Sequence, residues 1–349
     1  MEKIRVVLYG VGTMGSRTAK FLLEKEGVEI VGAIDIAKDK VGKDLGEVLQ
    51  LGKRLGVVVT NNCKKIFSKA CCDLVVHSTS SYLKDVYPQI APIAEYGINV
   101  ISTCEELAYP FATEPELAKK LDVLGMKNGV TFLGAGINPG FLMDTLAIML
   151  TGLCQKVDKI TVERVMNAGT RRVPFQEKIG AGLSVKEFKE KIEEKAITGH
   201  VGLEQSIGMI AAALCWELDK IVVEPVNPII ASKNVASDAI KVKKGGVAGL
   251  RQQARGIKKY KDVITLDFQA YIGAQEEYDS IRIDGAPPIN QKITPCVHGD
   301  LATVAIIVNA IPRLINAAPG LVTMKDLPVL SAAVEDMRKY VYSFAKPYK

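Results

Sequence analysis

The stretch Lys3–Asp35, KIRVVLYGVGTMGSRTAKFLLEKEGVEIVGAID, constrains the fold more than any other part of this chain. An apolar run from Ile4 to Tyr9 turns through Gly10, Gly12 and Gly15. An amphipathic run follows from Ser16 to Lys25, and a second apolar run from Val28 to Ile34 ends on Asp35. Strand, glycine turn, helix, strand and acid in this order form the βαβ unit that takes a dinucleotide. Gly10 permits the tight turn, Gly12 lets the backbone approach a pyrophosphate, and Gly15 lets the helix pack closely on the strand. Between them Thr13 and Met14 open the helix, whose free N–H groups and positive dipole end suit phosphates. Asp35 is placed to accept hydrogen bonds from the adenine ribose hydroxyls. It would repel a 2′-phosphate, so NAD is expected ahead of NADP, with Lys38, Lys40 and Lys43 as the residues able to meet such a phosphate. The competing reading is a glycine turn in an α/β domain without a ligand.

The chain continues in the same alternation. Gly56–Thr60 is a short β-rich run, and Asp73–His77 (DLVVH) reads as a buried parallel strand entering Ser78-Thr79-Ser80-Ser81. Ligands lie outside the carboxyl ends of such strands, so Ser78, Thr79 and Ser80 are candidate cofactor contacts. Ser80 or Ser81 also fits a plain cap on a helix over Tyr82–Tyr96. Asn99–Ser102 is a strand running into Thr103-Cys104-Glu105-Glu106-Leu107. Thr103 and Cys104 are then candidate cofactor contacts, and Glu105 and Glu106 are candidate catalytic acids. The alternative for the pair is first-turn helix acids that satisfy a dipole. Helix Glu116–Asn128 and strand Val130–Gly134 lead to GAGINPGFLMD, where Asn138-Pro139-Gly140 fixes a sharp turn beside the cofactor.

A domain boundary is expected there. The pattern predicts an α/β protein: a doubly wound parallel (Rossmann) sheet over residues 1–140, then an α+β domain over 141–299 on a mixed or antiparallel sheet. Phe141–Leu153, Val185–Lys195 and His200–Leu218 read as helices, and Gln176–Ser184 as a glycine-rich loop. Val157–Met166, Ile221–Ile230, Val263–Ile272 and Ser280–Asp284 read as strands. Such a sheet commonly buries its open face against a partner subunit. Leu301–Ala317 is a long apolar helix with Asp300 as its N-cap, and Leu327–Tyr342 a closing amphipathic helix; both can pack back on the first domain.

Composition narrows the function classes. Of 349 residues, 48% are hydrophobic and 24% charged, as in an ordinary globular enzyme, and the net charge of +6 is spread among acids. No aromatic-interleaved basic patch speaks for nucleic acid, and no run reaches membrane-spanning length. Seven cysteines without metal or redox spacing, including the adjacent Cys71 and Cys72, imply reduced thiols and a cytoplasmic location, and no signal peptide is read. His77, His200 and His298 lack ligand spacing, so no metal is expected; His77 reads as a core histidine.

Taken together, these pieces resemble the 2,4-diaminopentanoate dehydrogenases, amine dehydrogenases whose cofactor domain is like that of dihydrodipicolinate reductase. The matching segments are Tyr9–Gly15, His77–Ser81, Ile101–Leu107 (ISTCEEL), Gly136–Asp144 (GINPGFLMD), Glu163–Arg172, Lys178–Ser184 and His298–Leu321. The resemblance implies NAD(P)-dependent oxidative deamination of 2,4-diaminopentanoate, within ornithine fermentation, by a homodimer. It gives Glu105, with Glu106 in reserve, the removal of the amine proton and the activation of water. It leaves Arg171, Arg172, Phe141 and the backbone near Lys178 as candidates for substrate binding. The paired histidines of dihydrodipicolinate reductase are missing, as is the Glu-Lys-Pro of related sugar oxidoreductases. The alternatives are another amine, imine or keto-acid oxidoreductase of this fold, and a dinucleotide-sensing protein.

Overall fold

The computed structural model describes residues 2–69 and 72–342; Cys71 lies outside them. The chain divides into two compact units, one running to Phe141 and resuming at Gly299, the other Leu142–His298.

The first unit opens with β1 (Ile4–Tyr9), α1 (Thr13–Leu23) and β2 (Val28–Ile34), as the glycine pattern predicts. The polar segment that follows holds α2 (Leu45–Val48) and β3 (Val59–Thr60). Next come α3 (Cys63–Lys69), β4 (Leu74–His77) and α4 (Leu83–Ile90), which tightens into a 3₁₀ turn at Ala91–Tyr96. β5 (Asn99–Ser102), α5 (Pro115–Asn128) and β6 (Thr131–Gly134) complete this part. The second unit contains α6 (Thr145–Thr151), β7 (Lys156–Asn167), α7 (Val173–Lys178), α8 (Val185–Glu193) and α9 (Leu203–Ala213). Its strands continue with β8 (Lys220–Val223), β9 (Asn227–Ile230), β10 (Val235–Ala236), β11 (Lys241–Val242), β12 (Val247–Lys258), β13 (Lys261–Tyr271), β14 (Tyr278–Ala286) and β15 (Ile289–Ile293). The chain then re-enters the first unit with α10 (Gly299–Asn316) and β16 (Gly320–Val322).

In the first unit the strands form one parallel sheet in the order β16-β6-β5-β4-β1-β2-β3. The order reverses at β1, which lies between β2 and β4, so a crevice opens where ligands of such sheets bind. Both faces are covered, which is why the strands read as continuous apolar runs. Val7, Val75, Val100 and Phe132 pack against α4 and α5, while α1 and α10 pack together on the other side. Among the described residues α10 is the one helix long and apolar enough to cross a membrane; here it packs against β5, β6 and α1.

The second unit carries a mixed sheet, β15-β14-β7-β13-β12-β8, with β9 also paired to β12. Only β7–β13 is parallel; the other pairings are antiparallel. α6 and α9 pack on one face of it, around Ile160, Val162, Ile207, Ile210 and Leu266.

Several local expectations require correction. The segment 327–342 is no helix: only Met337–Tyr340 forms a 3₁₀ turn. Its backbone goes to other partners instead of an internal ladder. Ala333 N–H donates to Asn309 Oδ1 at 3.0 Å, the Ala333 carbonyl accepts from Lys25 Nζ at 2.7 Å, and Met337 N–H donates to the Glu26 carbonyl at 3.0 Å. Asp300 lies within the first turn of α10, 3.6 Å from Arg17, and is not the N-cap. The helix expected over Phe141–Leu153 begins at Thr145, because Asp144 caps it with a 2.5 Å bond from Thr145 N–H. Part of the expected loop Gln176–Ser184 is the end of α7. The run Ile221–Ile230 is two strands, with Pro225 in the break.

Candidate active site

The carboxyl ends of β1, β4, β5 and β6 lie along one edge of the first unit's sheet, since the strands are parallel and adjacent. They carry the Gly10–Gly15 turn, Ser78–Ser80, Thr103–Glu106 and Asn138–Gly140 respectively. Gly10 has φ +94°, and a Cβ there would sit 2.3 Å from the Ser78 carbonyl; one on Gly15 would sit 1.9 Å from the Gly10 carbonyl. At Gly12 a Cβ would meet nothing within 4 Å. Two glycines are therefore required by packing, whereas the third fronts open space. That space adjoins the start of α1, which no side chain caps, so Thr13 and Met14 offer N–H groups toward it. The cradle fits a pyrophosphate.

Asp35 ties this turn together. Its carboxylate accepts Val11 N–H at 2.8 Å and Ala37 N–H at 2.9 Å, and Lys40 Nζ stands 3.1 Å away. Lys40 also donates to the Val11 carbonyl at 2.9 Å. Burial works against the charge on Asp35, but the N–H groups of Ala37 and Val11 and then Lys40 outweigh it and hold its pKa below the usual range. A carboxylate has about four lone-pair positions. Three are used, so a ribose meets a carboxylate already largely committed.

The hydroxyls after β4 are similarly engaged. Ser78 donates to the Gly10 carbonyl at 3.2 Å, Thr79 bonds Gln89 and His77, and Ser80 donates to Asp85 at 2.9 Å. Neither Ser80 nor Ser81 is the N-cap of α4; that residue is Tyr82, without a side-chain cap bond. His77 is wholly buried, with Nδ1 2.9 Å from Ser102 Oγ and Nε2 3.0 Å from Gln89 Oε1. Burial pushes its pKa down to about 4, which makes it a neutral core histidine.

At the end of β5 the two adjacent carboxylates separate. Glu106 Oε2 accepts Leu83 N–H at 2.6 Å, at the start of α4, and Glu106 N–H donates to the Ser81 carbonyl at 3.1 Å. Glu105, partly exposed, precedes the 3₁₀ turn Glu106–Ala108. Cys104 is buried and donates to the Ser81 carbonyl at 3.2 Å. Burial first, then Glu105 and Glu106, push its thiol up to about 12, so it stays protonated. After β6, Asn138 is buried, and Gly140, at φ +125°, stands just before Phe141, the last residue of this part of the unit.

Arg171 and Arg172 belong to the second unit, after β7. Arg172 is exposed and precedes α7; Arg171 is partly exposed, but its Nε is buried without a hydrogen-bond partner. The sequence offered no role for His200 beyond an apolar helix. In the structure it lies on the loop before α9, its ring stacked on Phe268 at 4.4 Å and 7°. The signal available in the sequence was its place between two glycines, Gly199 and Gly202. Among the described residues no group of three or more His, Cys, Asp or Glu side chains could hold a metal ion.

Residues 4–104 match the N-terminus of dihydrodipicolinate reductase, and residues 141–343 match the 2,4-diaminopentanoate dehydrogenase C-terminal domain. The chain belongs to the 2,4-diaminopentanoate dehydrogenase family. A 2,4-diaminopentanoate dehydrogenase of Acetoanaerobium sticklandii is 38% identical over the whole of both chains. An amine dehydrogenase of Streptomyces virginiae is 23% identical, over 94% of this chain and 97% of its own. The solved amine dehydrogenase from Mycobacterium smegmatis superposes with a TM-score of 0.81 at 30% identity, covering 95% of this chain and 98% of that one. Membership makes the chain an oxidoreductase that works with a nicotinamide dinucleotide, and the cradle at Gly12 fits that cofactor.

Proposed function

We propose that this family member oxidatively deaminates 2,4-diaminopentanoate to 2-amino-4-oxopentanoate and ammonia while reducing NAD(P)+, a step of ornithine degradation in the cytoplasm. The observation that carries the catalytic assignment is the 2.6 Å bond from Leu83 N–H to Glu106. Glu106 serves the start of α4, so we assign the chemistry to Glu105.

When bound, the cofactor supplies a hydride acceptor. The substrate enters as an ammonium, which cannot release hydride until it loses a proton. Glu105 takes that proton and passes it to solvent, and the carboxylate so restored stabilises the iminium left on the substrate once hydride has gone. Water adds to the iminium carbon, with Glu105 receiving the proton the water loses, and the C–N bond breaks to give ketone and ammonia. In the balance, one ammonium substrate, one NAD(P)+ and one water become one ketone, one ammonium ion, one NAD(P)H and one proton. Around the nicotinamide we place Ser78, Thr79, Ser80, Thr103, Cys104, Asn138, Pro139 and Gly140. Phe141, Arg171 and Arg172 contact the substrate. Asp35 favours NAD, by the repulsion it would exert on a 2′-phosphate. Lys40, already beside that carboxylate, moderates the preference. The working form is a homodimer, joined through the sheet face of the second unit that carries no helix.

The test is reduction of NAD and NADP followed by absorbance against 2,4-diaminopentanoate, ornithine, lysine and simple 2-aminoalkanes. Selective turnover of 2,4-diaminopentanoate, faster with NAD, is expected. Glu105→Gln should lose roughly 10²- to 10⁴-fold in kcat and still bind NADH. A fully active Glu105→Gln would overturn the assignment.

A further inference from the structure

β4 is apolar and buried until its last residue, where the side chain is an imidazole. A polar ring costs free energy in such a place unless its nitrogens are paired. His77 pairs both, in two different directions. Tyr9 packs edge-on against the ring, with centroids 5.2 Å apart, and helps to fix its plane.

The partners decide which nitrogen carries the hydrogen. Gln89 Nε2 donates to the Asp85 carbonyl at 2.9 Å, which leaves Gln89 Oε1 facing His77. That oxygen only accepts, so His77 Nε2, 3.0 Å from it, holds the hydrogen. Nδ1 is then a bare acceptor, and Ser102 Oγ donates to it at 2.9 Å. The Ser102 oxygen in turn accepts Cys104 N–H at 3.1 Å, and Thr103 N–H donates to the His77 carbonyl at 3.0 Å. On the other side Thr79 Oγ lies 3.0 Å from His77 Nε2 and 2.9 Å from Gln89 Oε1. Since Nε2 carries a hydrogen and cannot accept, the Thr79 hydroxyl gives its own hydrogen to Gln89. Thr79 is exposed, so it offers a ligand an acceptor and no donor.

We propose that His77 is a positioning residue that holds the loop Ser78–Ser80 and the turn delivering Glu105 at one spacing. Its Nε2–H sets the Thr79 hydroxyl. Its Nδ1 sets Ser102 and, through Ser102, the backbone at Cys104 just before Glu105. The inference rests on the reading that the dinucleotide meets Thr79 and that Glu105 moves the proton. Neither the family match nor the motif pattern gives His77 a part beyond the core. A misplacement of about 1 Å at a reacting group costs up to roughly a hundredfold in rate, which is what such a tie between two loops prevents.

An amide can replace half of this ring, and that separates its two arms. In His77→Asn the side-chain oxygen reaches the place of Nδ1 and keeps the Ser102 arm. In His77→Gln the amide nitrogen reaches the place of Nε2 and keeps the Thr79 arm. His77→Phe keeps the packing and loses both. NADH affinity should fall roughly threefold to tenfold in His77→Phe and His77→Asn and recover in His77→Gln. The kcat for 2,4-diaminopentanoate at saturating NAD should fall roughly tenfold or more in His77→Phe and His77→Gln and recover in His77→Asn. Losses that simply follow Tm, alike in both measurements, or wild-type values in His77→Phe, overturn the inference. Gln89→Leu and Ser102→Ala cut the same arms from their far ends. They should reproduce the two losses one at a time, even where replacing the ring unfolds the protein; wild-type values in both overturn the inference. The imidazole signals of ¹⁵N-histidine-labelled protein give a check that needs no substrate: a proton on Nε2 of His77 is expected, and one on Nδ1 overturns the inference. With no amine turned over, the dehydrogenase reading fails alone, and the affinity pattern and nitrogen signals still decide the role of His77.

Discussion

Adjacent residues in this chain are proposed here to have unlike duties. Glu105 and Glu106 are indistinguishable in the sequence, and their separation depends on a bond to Leu83, more than twenty positions away. That bond could not be read from spacing, nor could the engagement of Asp35 by Val11 and Lys40. His77 was legible as a core residue, and its burial carries a pH consequence. Its folded pKa of about 4 lies below the ordinary histidine value of 6.5, so the unfolded chain takes up the proton first. The stability contribution is complete above about pH 6.5 and is lost as the pH falls toward about 4, to the extent of roughly 3 kcal/mol. His200 acts in the same direction. Urea midpoints at about pH 7.5 and about pH 5 should show a larger drop in the wild type than in His77→Asn. Equal drops would remove His77 from the account.

At the scale of elements, α4 is held at its start by an acid from outside itself. Glu106→Gln should weaken the bond to Leu83 N–H and the favourable charge at the helix start, costing about 1 kcal/mol of stability. Calorimetry should register a lower Tm, with NADH affinity retained; an unchanged Tm would mean that the cap contributes nothing. Elements marked by glycine and proline were the legible ones: β1, α1, β2, β4, β5 and α5 all fall where the pattern places them. The hairpin β12–β13 was half missed, because its turn is Lys259-Tyr260, both with positive φ, where Asn-Gly would be the readable signal. The false helix at 327–342 came from helical spacing of Val329, Leu330, Ala333, Val334, Met337 and Val341. The segment spends its backbone groups on Asn309, Lys25 and Glu26 instead.

For the whole molecule, periodicity gave the fold class of both units, but it could not show that β7 and β13 run parallel. Neighbours so far apart in sequence leave no local trace. The helix-free face of that sheet is polar but internally paired. Arg251 meets Asp267 at 2.5 Å, Gln253 donates to Asp267 at 3.1 Å, and Ser280 donates to Glu163 at 3.3 Å. Tyr271 and Gln269 line two shallow concavities there, of about 420 and 440 Å³. Light scattering should give twice the mass of one chain, and Tyr271→Asp should shift the protein toward the monomer. A monomeric wild type would remove the homodimer proposal, and an unshifted variant would move the contact to another face.

The first unit is built from two segments that flank the second, and this reverses the order of construction. A ribosome delivers β1–β6 early, yet the outer neighbour of β6 and the helix over β5 and β6 emerge only after all of Leu142–His298 has been made. Until then the nascent sheet has an unpaired edge and an uncovered apolar face, the exposure that invites chaperones and mispairing. The unit encoded between the two segments holds the strands of its own sheet and can close first; the one that started earlier must wait for a segment made after it.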